Sequence, residues 1–227
     1  MLDFQQKRFC MKQYLPVLSS SALFRGFSDE EILKLLSCIK AQAVSFSRGS
    51  VILQQDDPAH FFGLVLSGSV QVLHQDHQGA HSIISVFRPG DTFAEAFACA
   101  GIPALPVNAV AAADSTVLLF DADAVLSSTS SHPLLITNLL RMIAGKNLQI
   151  SRKLEIVMQR TTRGKLIAYL SAQAEKAHCD RFSIPFNRQE LADYLGVERS
   201  AMSTELGRLK KEGLIDFYKN EFILRQR

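Results

Sequence analysis

Near Pro133 the spacing of apolar residues changes, and this change sets the main limit on how the chain can fold. From Ala41 to Phe120 the apolar residues occur in seven or eight short runs separated by turn residues. This pattern predicts a compact antiparallel β-roll or barrel. From Pro133 to about Arg160 the apolar residues follow a helical period instead. The sequence therefore predicts an α+β protein in which an N-terminal antiparallel β-roll precedes a long helix.

The long helix carries a seam of positions spaced alternately four and three residues apart. The seam consists of Ile136, Leu140, Ile143, Asn147, Ile150, Leu154 and Val157. A repeat of seven residues is typical of helices that pair, and an asparagine inside it favours a two-stranded arrangement in register. We therefore expect a parallel homodimer. The alternative is that the helix packs on its own roll.

The stretch "NRQELADYLGVERSAMSTELGRL" predicts two helices around Gly196, which permits a tight turn. Asn187 and Glu190 occupy the two positions of a capping box at the start of the first helix. The outer face of the second helix carries Arg199, Ser200, Ser203, Thr204 and Arg208. Short polar side chains can approach base edges closely, and arginines reach guanine or phosphate. This face predicts DNA recognition, with a purely structural helix pair as the alternative.

The segment "LIDFYKNEFIL" predicts a hairpin that turns at Lys219 and Asn220, with Asn220 in the left-handed region. Two helices followed by a hairpin indicate a winged helix-turn-helix. Residues 161–227 contain 12 Lys and Arg against 9 Asp and Glu, whereas residues 1–160 contain 13 of each. The positive excess thus lies where a polyanion would bind.

We predict three regions: a β-roll sensor domain at 1–132, a dimerisation helix at 133–160 and a winged helix-turn-helix at 161–227. A hinge is expected at 159–164, where Gly164 would bend the chain. No apolar run is long enough to cross a membrane, and the start lacks the features of a signal peptide. The cysteines form no CxxC pair, which argues against a disulfide framework and a zinc ribbon. They are Cys10, Cys38, Cys99 and Cys179. We expect a cytoplasmic protein.

Five segments of the chain resemble the CRP/FNR family of bacterial transcription regulators. They are "LVLSGSVQV", "FRPGDTFAEAF", "SRKLEIV", "TRGKLIAYL" and "NRQELADYLGVERSAMSTELGRLKKEGLI". The resemblance implies a homodimer that binds an inverted repeat in double-stranded DNA, with RNA polymerase as a further partner of an activator. It places Arg188 and Gln189 on the DNA backbone, and it places at the bases Arg199, Ser200, Ser203 and Thr204. Many members have arginine where Thr204 stands and glutamate where Ser200 stands, so the half-site sequence does not carry over.

The same resemblance places an effector pocket at Gly90, Phe93, Ala94, Glu95, Pro106, Val107 and Ser151. Glu95 matches the glutamate that holds the ribose in nucleotide-binding members. Pro106 and Val107 stand where those members have the Arg-Ser pair for the cyclic phosphate, and no Lys or Arg occurs between Arg88 and Arg141. A buried phosphate requires a cation or amide cluster. We expect an unidentified small-molecule effector other than cyclic AMP, or a physical signal, and neither metal nor haem.

Two other classes of function remain open. The histidines His74, His77 and His81 lie around one predicted hairpin and could hold a metal in a cupin-like enzyme. A dimeric scaffold could bind another protein through the helix-turn-helix. A cupin enzyme needs neither the dimer helix nor the winged domain, which favours a regulator over an enzyme. The resemblance also implies that an iron–sulfur sensor of this family would cluster its cysteines near the N-terminus, where only Cys10 lies, which argues against such a sensor. Cys99 is either a redox switch or an inert buried thiol.

Overall fold

The computed structural model of the chain describes residues 11–75 and 81–225, with the backbone alone for 74–75 and 81–84. It divides into two compact units, Met1–Gly145 and Lys146–Arg227. The first unit is built mainly of strands and the second mainly of helices. No helix in the described ranges is both long and apolar enough to cross a membrane.

The described residues of the first unit form two four-stranded antiparallel sheets, which confirms the predicted roll. The strands pair in the orders β1-β8-β3-β6 and β2-β7-β4-β5. Their bounds are β1 Gln42–Phe46, β2 Val51–Leu53, β3 Phe61–Ser67, β4 Val70–Gln75, β5 His81–Phe87, β6 Thr92–Phe93, β7 Asn108–Ala111 and β8 Ser115–Asp121. Strand β1 pairs with β8 so that Gln42 lies opposite Leu119, and the two ends of the roll segment meet.

Strand β3 explains why the roll has an apolar layer on each side. Its alternate residues Phe62 and Leu64 belong to one buried cluster, whereas Val65 belongs to another. Side chains of a strand point alternately to opposite faces, so a strand covered on both sides is a nearly continuous apolar run. The first cluster includes residues of the covering helices, and in it Phe62 stacks on Phe120 at 4.9 Å. The second cluster lies between the sheets.

In the described part of the first unit, four short helices cover the roll or connect its strands. They are α1 Leu15–Ser20, α2 Asp29–Cys38, α3 Glu95–Cys99 and α4 Ala122–Ser127, and 3₁₀ turns occupy Met11–Tyr14 and Ala22–Phe24. Helix α2 begins with a capping box formed by Ser28 and Glu31. Its residues Ile32, Leu35 and Leu36 are buried, which attaches the helix to the roll.

Helix α5, Pro133–Val157, begins on the roll. Leu135 and Leu139 are buried in the helix-side cluster of the first unit. Asn138 is also buried, and its Nδ2 donates to the carbonyl oxygens of Leu23 at 3.1 Å and Arg25 at 2.8 Å. These bonds satisfy carbonyls at the second 3₁₀ turn, so the start of α5 is fastened to the roll by both packing and polar contacts.

The second unit is a winged helix-turn-helix, as predicted. It contains α6 Thr162–Ala177, β9 Arg181–Ser183, α7 Arg188–Leu195, α8 Arg199–Lys211, β10 Ile215–Tyr218 and β11 Glu221–Leu224. The three strands pair antiparallel in the order β10-β11-β9. Tyr169 and Leu170 of α6 and Phe222 of β11 share one core with residues of α7 and α8.

The predicted role of Gly164 as the bend is wrong. The chain leaves the helical conformation between Val157 and Thr162, and Gly164 lies within the first turn of α6. Thr161 is the N-cap residue, and its Oγ1 accepts from the Gly164 N–H at 3.0 Å. A threonine cap therefore starts α6, and the break between the helices occupies residues 158–161.

Candidate nucleic-acid interface

Helix α7 is defined by bonds at its two ends. The Asn187 side-chain oxygen accepts from the backbone N–H groups of Gln189 at 2.9 Å and Glu190 at 3.0 Å. The Glu190 carboxylate accepts from the Asn187 N–H at 2.7 Å, which confirms the predicted capping box. Gly196 ends the helix with φ of 60°, a conformation that glycine adopts without strain. The short turn then leads into α8.

The pair of helices rests on a continuous apolar core. The buried residues are Leu191, Ala192 and Leu195 of α7 and Met202, Leu206 and Leu209 of α8. Lys165 of α6 fastens the turn, because its ammonium donates to the carbonyl oxygens of Leu195 at 3.0 Å and Gly196 at 3.3 Å. The opposite face of α8 is consequently presented on a well-packed support.

That outer face is a strip of short polar side chains between two arginines. Its predicted members Arg199, Ser200, Ser203, Thr204 and Arg208 are all exposed. Residues three and four apart are neighbours on a helix, so the five form one contiguous strip. Gly207 also lies on it, and a Cβ built there would meet no atom within 4 Å. Sequence reasoning missed Gly207, although its spacing from Thr204 was an available signal. The strip is shallow enough to enter a groove.

Two hydroxyls of the strip already donate within the helix. Thr204 Oγ1 donates to the carbonyl oxygen of Ser200 at 3.0 Å. Ser200 Oγ in turn donates to the carboxylate of Glu198, the N-cap residue of α8. A hydroxyl has one hydrogen to donate, so each of these oxygens faces a ligand as an acceptor only.

Arg208 is held by an acidic neighbour. Its guanidinium lies 3.2 Å from Glu205, one turn earlier, and Glu205 also accepts from Arg163 of α6 at 3.3 Å. Arg163 forms a second, two-pronged contact with Glu212, and this bond raises the pKa of Arg163. Sequence reasoning missed the contribution of Arg163, Glu205 and Glu212, because the partners are distant along the chain. These pairs link the start of α6 to α8.

The two residues assigned to the DNA backbone also have partners inside the unit. The Arg188 guanidinium lies 4.8 Å from the ring centre of Phe217 and 5.2 Å from that of Phe222, both in the hairpin. Burial lowers the pKa of Arg188. Gln189 Nε2 donates to Asp193 at 2.9 Å. A guanidinium stacked on rings keeps its edge N–H donors, so Arg188 ties α7 to the hairpin and can still meet a phosphate.

The hairpin of β10 and β11 forms a wing beside α7. Lys219 takes the left-handed conformation with φ of 52°, so the sequence-based assignment of that role to Asn220 is wrong. Tyr218 is 72% exposed, and the Lys219 ammonium lies 5.6 Å from the centre of its ring. Lys210 is paired with Asp216 at 2.6 Å. Lys219 and Tyr218 are therefore the wing residues best placed to contact a ligand.

Three residues of the predicted effector pocket lie in the interior of the roll. Phe93, Glu95 and Val107 are buried, whereas Pro106 is exposed. Phe93 packs so closely on β3 that a Cβ built on Gly63 would lie 2.2 Å from its ring. Among the described residues of this unit, the buried polar side chains include no lysine or arginine. The described interior of this unit therefore supplies no cation to a buried phosphate.

The remaining pocket residues have mixed environments. Gly90 and Ala94 both take positive φ, 94° and 63°, in the turn before β6 and at the N-cap of α3. Cys99 of α3 is half-buried, and burial, followed by the charge of Glu95, raises the pKa of its thiol. Ser151 belongs to the second unit and is exposed, with its hydroxyl 3.5 Å from the Asn147 side-chain oxygen.

The predicted seam of α5 is divided into two parts. Ile136 and Ile143 pack partly against the roll. This part of the seam agrees with the alternative that the helix packs on its own roll. Leu140, Ile150 and Leu154 instead expose 63%, 70% and 54% of their surface, and Asn147 and the half-buried Val157 lie on the same side. Leu140, Ile150 and Leu154 have little cover and therefore form an apolar stripe around an asparagine.

The histidines of the enzyme alternative fall largely outside what the structure describes. His77 is not among the described residues, and only the backbone of His74 and His81 is described. Within the described ranges, no group of three His, Cys, Asp or Glu residues could hold a metal ion. Cys38 and Cys179 are exposed free thiols, and Cys10 lies outside the described residues.

Two domain families match the chain in the order of its two units. Residues 43–132 match the cyclic nucleotide-binding domain, and residues 164–227 match the Crp-like helix-turn-helix domain. A CRP-like cAMP-activated global transcriptional regulator of Mycobacterium tuberculosis is 21% identical over 204 residues, covering 88% of this chain and 90% of that protein. A probable transcriptional activator of Rhizobium leguminosarum is 25% identical over 173 residues, covering 74% of this chain and 70% of that protein.

Solved structures share the fold. The catabolite activator protein of Thermus thermophilus superposes with a TM-score of 0.56 at 24% identity, covering 90% of this chain and 94% of that one. Its likeness extends over both units and supports the assignment of the roll, the long helix and the winged helix-turn-helix to one architecture.

Proposed function

The chain belongs to the family of Crp-like transcription regulators, which are not enzymes, and on this basis we propose that it is a homodimer that binds an inverted repeat in double-stranded DNA. A signal received in the roll would control its affinity. The observation that carries the proposal is the exposed strip on α8, from Arg199 to Arg208, on a packed support. RNA polymerase would be a further partner if the regulator activates transcription.

The strip supports base reading in the major groove. A helix fits that groove, and short side chains such as Ser203 let it approach the base edges. Arg199 is exposed and can donate two bonds to one guanine. Arg188 and Lys219 lie together at a cleft of ≈ 390 Å³ between the start of α7 and the wing. Their charges suit phosphate, so this cleft would hold the backbone while α8 reads the bases.

The apolar stripe on α5 supports the homodimer. Leu140, Ile150 and Leu154 are largely exposed in the single chain, and such a stripe gains free energy when it is covered. Asn147 in its midst favours pairing with the same residue of a second copy, which would align the two helices in register. Two winged units would then present their α8 helices about 34 Å apart, one turn of B-DNA.

The end of α5 offers a route from signal to DNA. Ile156 of its last turn is buried in the core of the second unit, and the Lys153 ammonium lies 4.9 Å from the ring centre of Tyr194 on α7. A shift of one α5 against its twin would therefore carry the winged unit with it. The effector would be a molecule of lower charge than a cyclic nucleotide, because the described roll interior holds no buried cation.

Selection of genomic DNA fragments by the purified protein at two salt concentrations tests this proposal. We expect enrichment of an inverted repeat with half-site centres about 10 base pairs apart. Salt-sensitive retention without a motif would mean that an effector is required for specific binding. Absence of retention at low salt would refute DNA binding and favour the protein-binding scaffold.

Variants then separate base reading from phosphate binding. Arg199→Ala should weaken the selected site by about 1–3 kcal/mol and relax its sequence preference. Arg188→Ala should weaken binding to all sequences alike and should reduce by about one the slope of log affinity against log salt concentration. Arg188→Lys keeps the charge and should preserve that slope. If both alanine variants lose the same affinity for selected and random DNA, the assignment of roles is wrong.

A further inference from the structure

The strip on α8 has fewer hydrogen-bond donors than its residue types suggest. Thr204 Oγ1 donates to the Ser200 carbonyl at 3.0 Å, and the Ser200 hydroxyl donates to Glu198. Arg208 is paired with Glu205 at 3.2 Å. Within the described part of α8, this leaves the side chain of Arg199 as the cationic donor of the strip that has no acidic partner.

Thr204 lies near the middle of this strip, where its neighbours leave it accessible. Among the neighbours three and four residues away, Ser200 and Ala201 are short, whereas Arg208 is long and is paired with Glu205. Gly207 follows three residues later and has no side chain. A base edge could consequently come into direct contact with Thr204, which is itself exposed.

The chemistry that Thr204 presents disfavours guanine and suits a base that carries a methyl group. With its hydrogen directed at the helix backbone, the side chain offers a methyl group and the lone pairs of its oxygen. Guanine presents two acceptors in the major groove and needs a donor, whereas thymine presents a methyl group. On the basis of the proposed DNA binding, we propose that Thr204 is a specificity-determining residue that packs its methyl against the methyl of one thymine in each half-site and disfavours guanine there.

The test removes the proposed methyl–methyl contact first from the DNA and then from the protein. Each thymine of the selected inverted repeat is replaced by deoxyuridine, which lacks only the methyl, and the affinity of the full-length protein is measured. At one position per half-site, deoxyuridine should lower the affinity about fourfold, which corresponds to one buried methyl-sized group. Replacement in both half-sites should lower the affinity about 15-fold. Thr204→Ser, which keeps the hydroxyl and deletes the methyl, should bind thymine and uracil equally.

Three further variants complete the design. Thr204→Val keeps a methyl and removes the hydroxyl, so it should retain the thymine preference. Thr137→Ser is the matched control, because Thr137 of α5 lies outside the winged helix-turn-helix and donates to the Pro133 carbonyl at 2.9 Å as Thr204 donates to that of Ser200. The uracil sensitivity of this variant should equal that of the wild type. Thr204→Arg supplies donors and should shift the preferred base at this position towards guanine.

The outcomes separate the role of Thr204 from the proposed function. A wild-type protein that prefers a defined repeat but tolerates uracil at every position would overturn the role of Thr204 alone. So would uracil sensitivity that persists in Thr204→Ser, or a thymine preference lost in Thr204→Val. A wild-type protein without any preferred sequence, with or without its signal, would instead overturn the proposed function, and the assignment of Thr204 would fall with it.

Discussion

Replacing Leu154 with alanine should weaken self-association much more than replacing Leu148. Both leucines lie on α5 beyond Gly145 and expose similar fractions of their surface, 54% and 60%. Leu154 belongs to the stripe around Asn147, whereas Leu148 is the residue after Asn147 and points about 100° away around the helix. The two substitutions therefore remove the same atoms from the same helix, but on different sides.

The expected loss of dimer stability follows from the exposed fraction of Leu154. Full burial of a leucine contributes about 2 kcal/mol, and roughly half of the Leu154 surface remains to be covered by a partner, so each copy would contribute about 1 kcal/mol. A symmetric dimer contains two copies. Leu154→Ala should therefore cost about 2 kcal/mol and raise the dimer dissociation constant about 30-fold. Leu148→Ala should change it by less than about fivefold.

Sedimentation equilibrium from nanomolar to micromolar concentrations would measure these dissociation constants, with circular dichroism to check that helix content is unchanged. Equal effects of the two substitutions would contradict this expectation, because the stripe around Asn147 would then have no special part in association. A wild-type protein that stays monomeric throughout this range would contradict it as well.

Three further predictions concern stability. Gly63→Ala should destabilise the roll by about 1–3 kcal/mol in urea, because its Cβ would lie 2.2 Å from the Phe93 ring; an unchanged midpoint would argue against this packing. Asn187→Ala should cost about 1 kcal/mol and accelerate amide exchange in the first turn of α7, whereas unchanged exchange would show that the cap is dispensable. Bonds from the Ser28 backbone and hydroxyl lower the pKa of Glu31. The α2 cap therefore contributes to the free energy of unfolding at pH values above the ordinary glutamate pKa, and this contribution is lost as the pH falls through the lower pKa of the folded state. Glu31→Gln should abolish this part of the pH dependence when the free energy of unfolding is measured at several pH values.

The strands of the roll could be predicted from sequence because their apolar runs and turn residues are local signals. Strand β3 was recognisable as a continuous apolar run, and the structure buries it on both faces. The pairing of β1 with β8 was not accessible in the same way. Residues Gln42 and Leu119 become neighbours only when the roll closes, and the spacing of apolar residues along the chain does not predict that contact.

Helix α5 shows the limit of a periodic pattern. The spacing of four and three residues correctly predicted a long helix with one apolar side. The same spacing does not identify the surface that packs against that side. The roll partly covers Ile136 and Ile143, while Leu140 and Ile150 remain exposed. The break after Val157 overlaps the predicted hinge at 159–164, but it ends at the Thr161 cap and does not include Gly164.

The residues that occupy the outer strip of α8 follow from local sequence alone, since helical period and the Asn187 cap are local properties. Which of their polar groups remain available to a ligand depends instead on the folded chain. Arg163 reaches Glu205 across 42 positions of the chain, and Arg188 stacks on Phe217 of the wing. Hydrogen bonds and ion pairs depend on distances of a few ångströms, and those distances exist only after α6, α7, α8 and the wing have packed into one core.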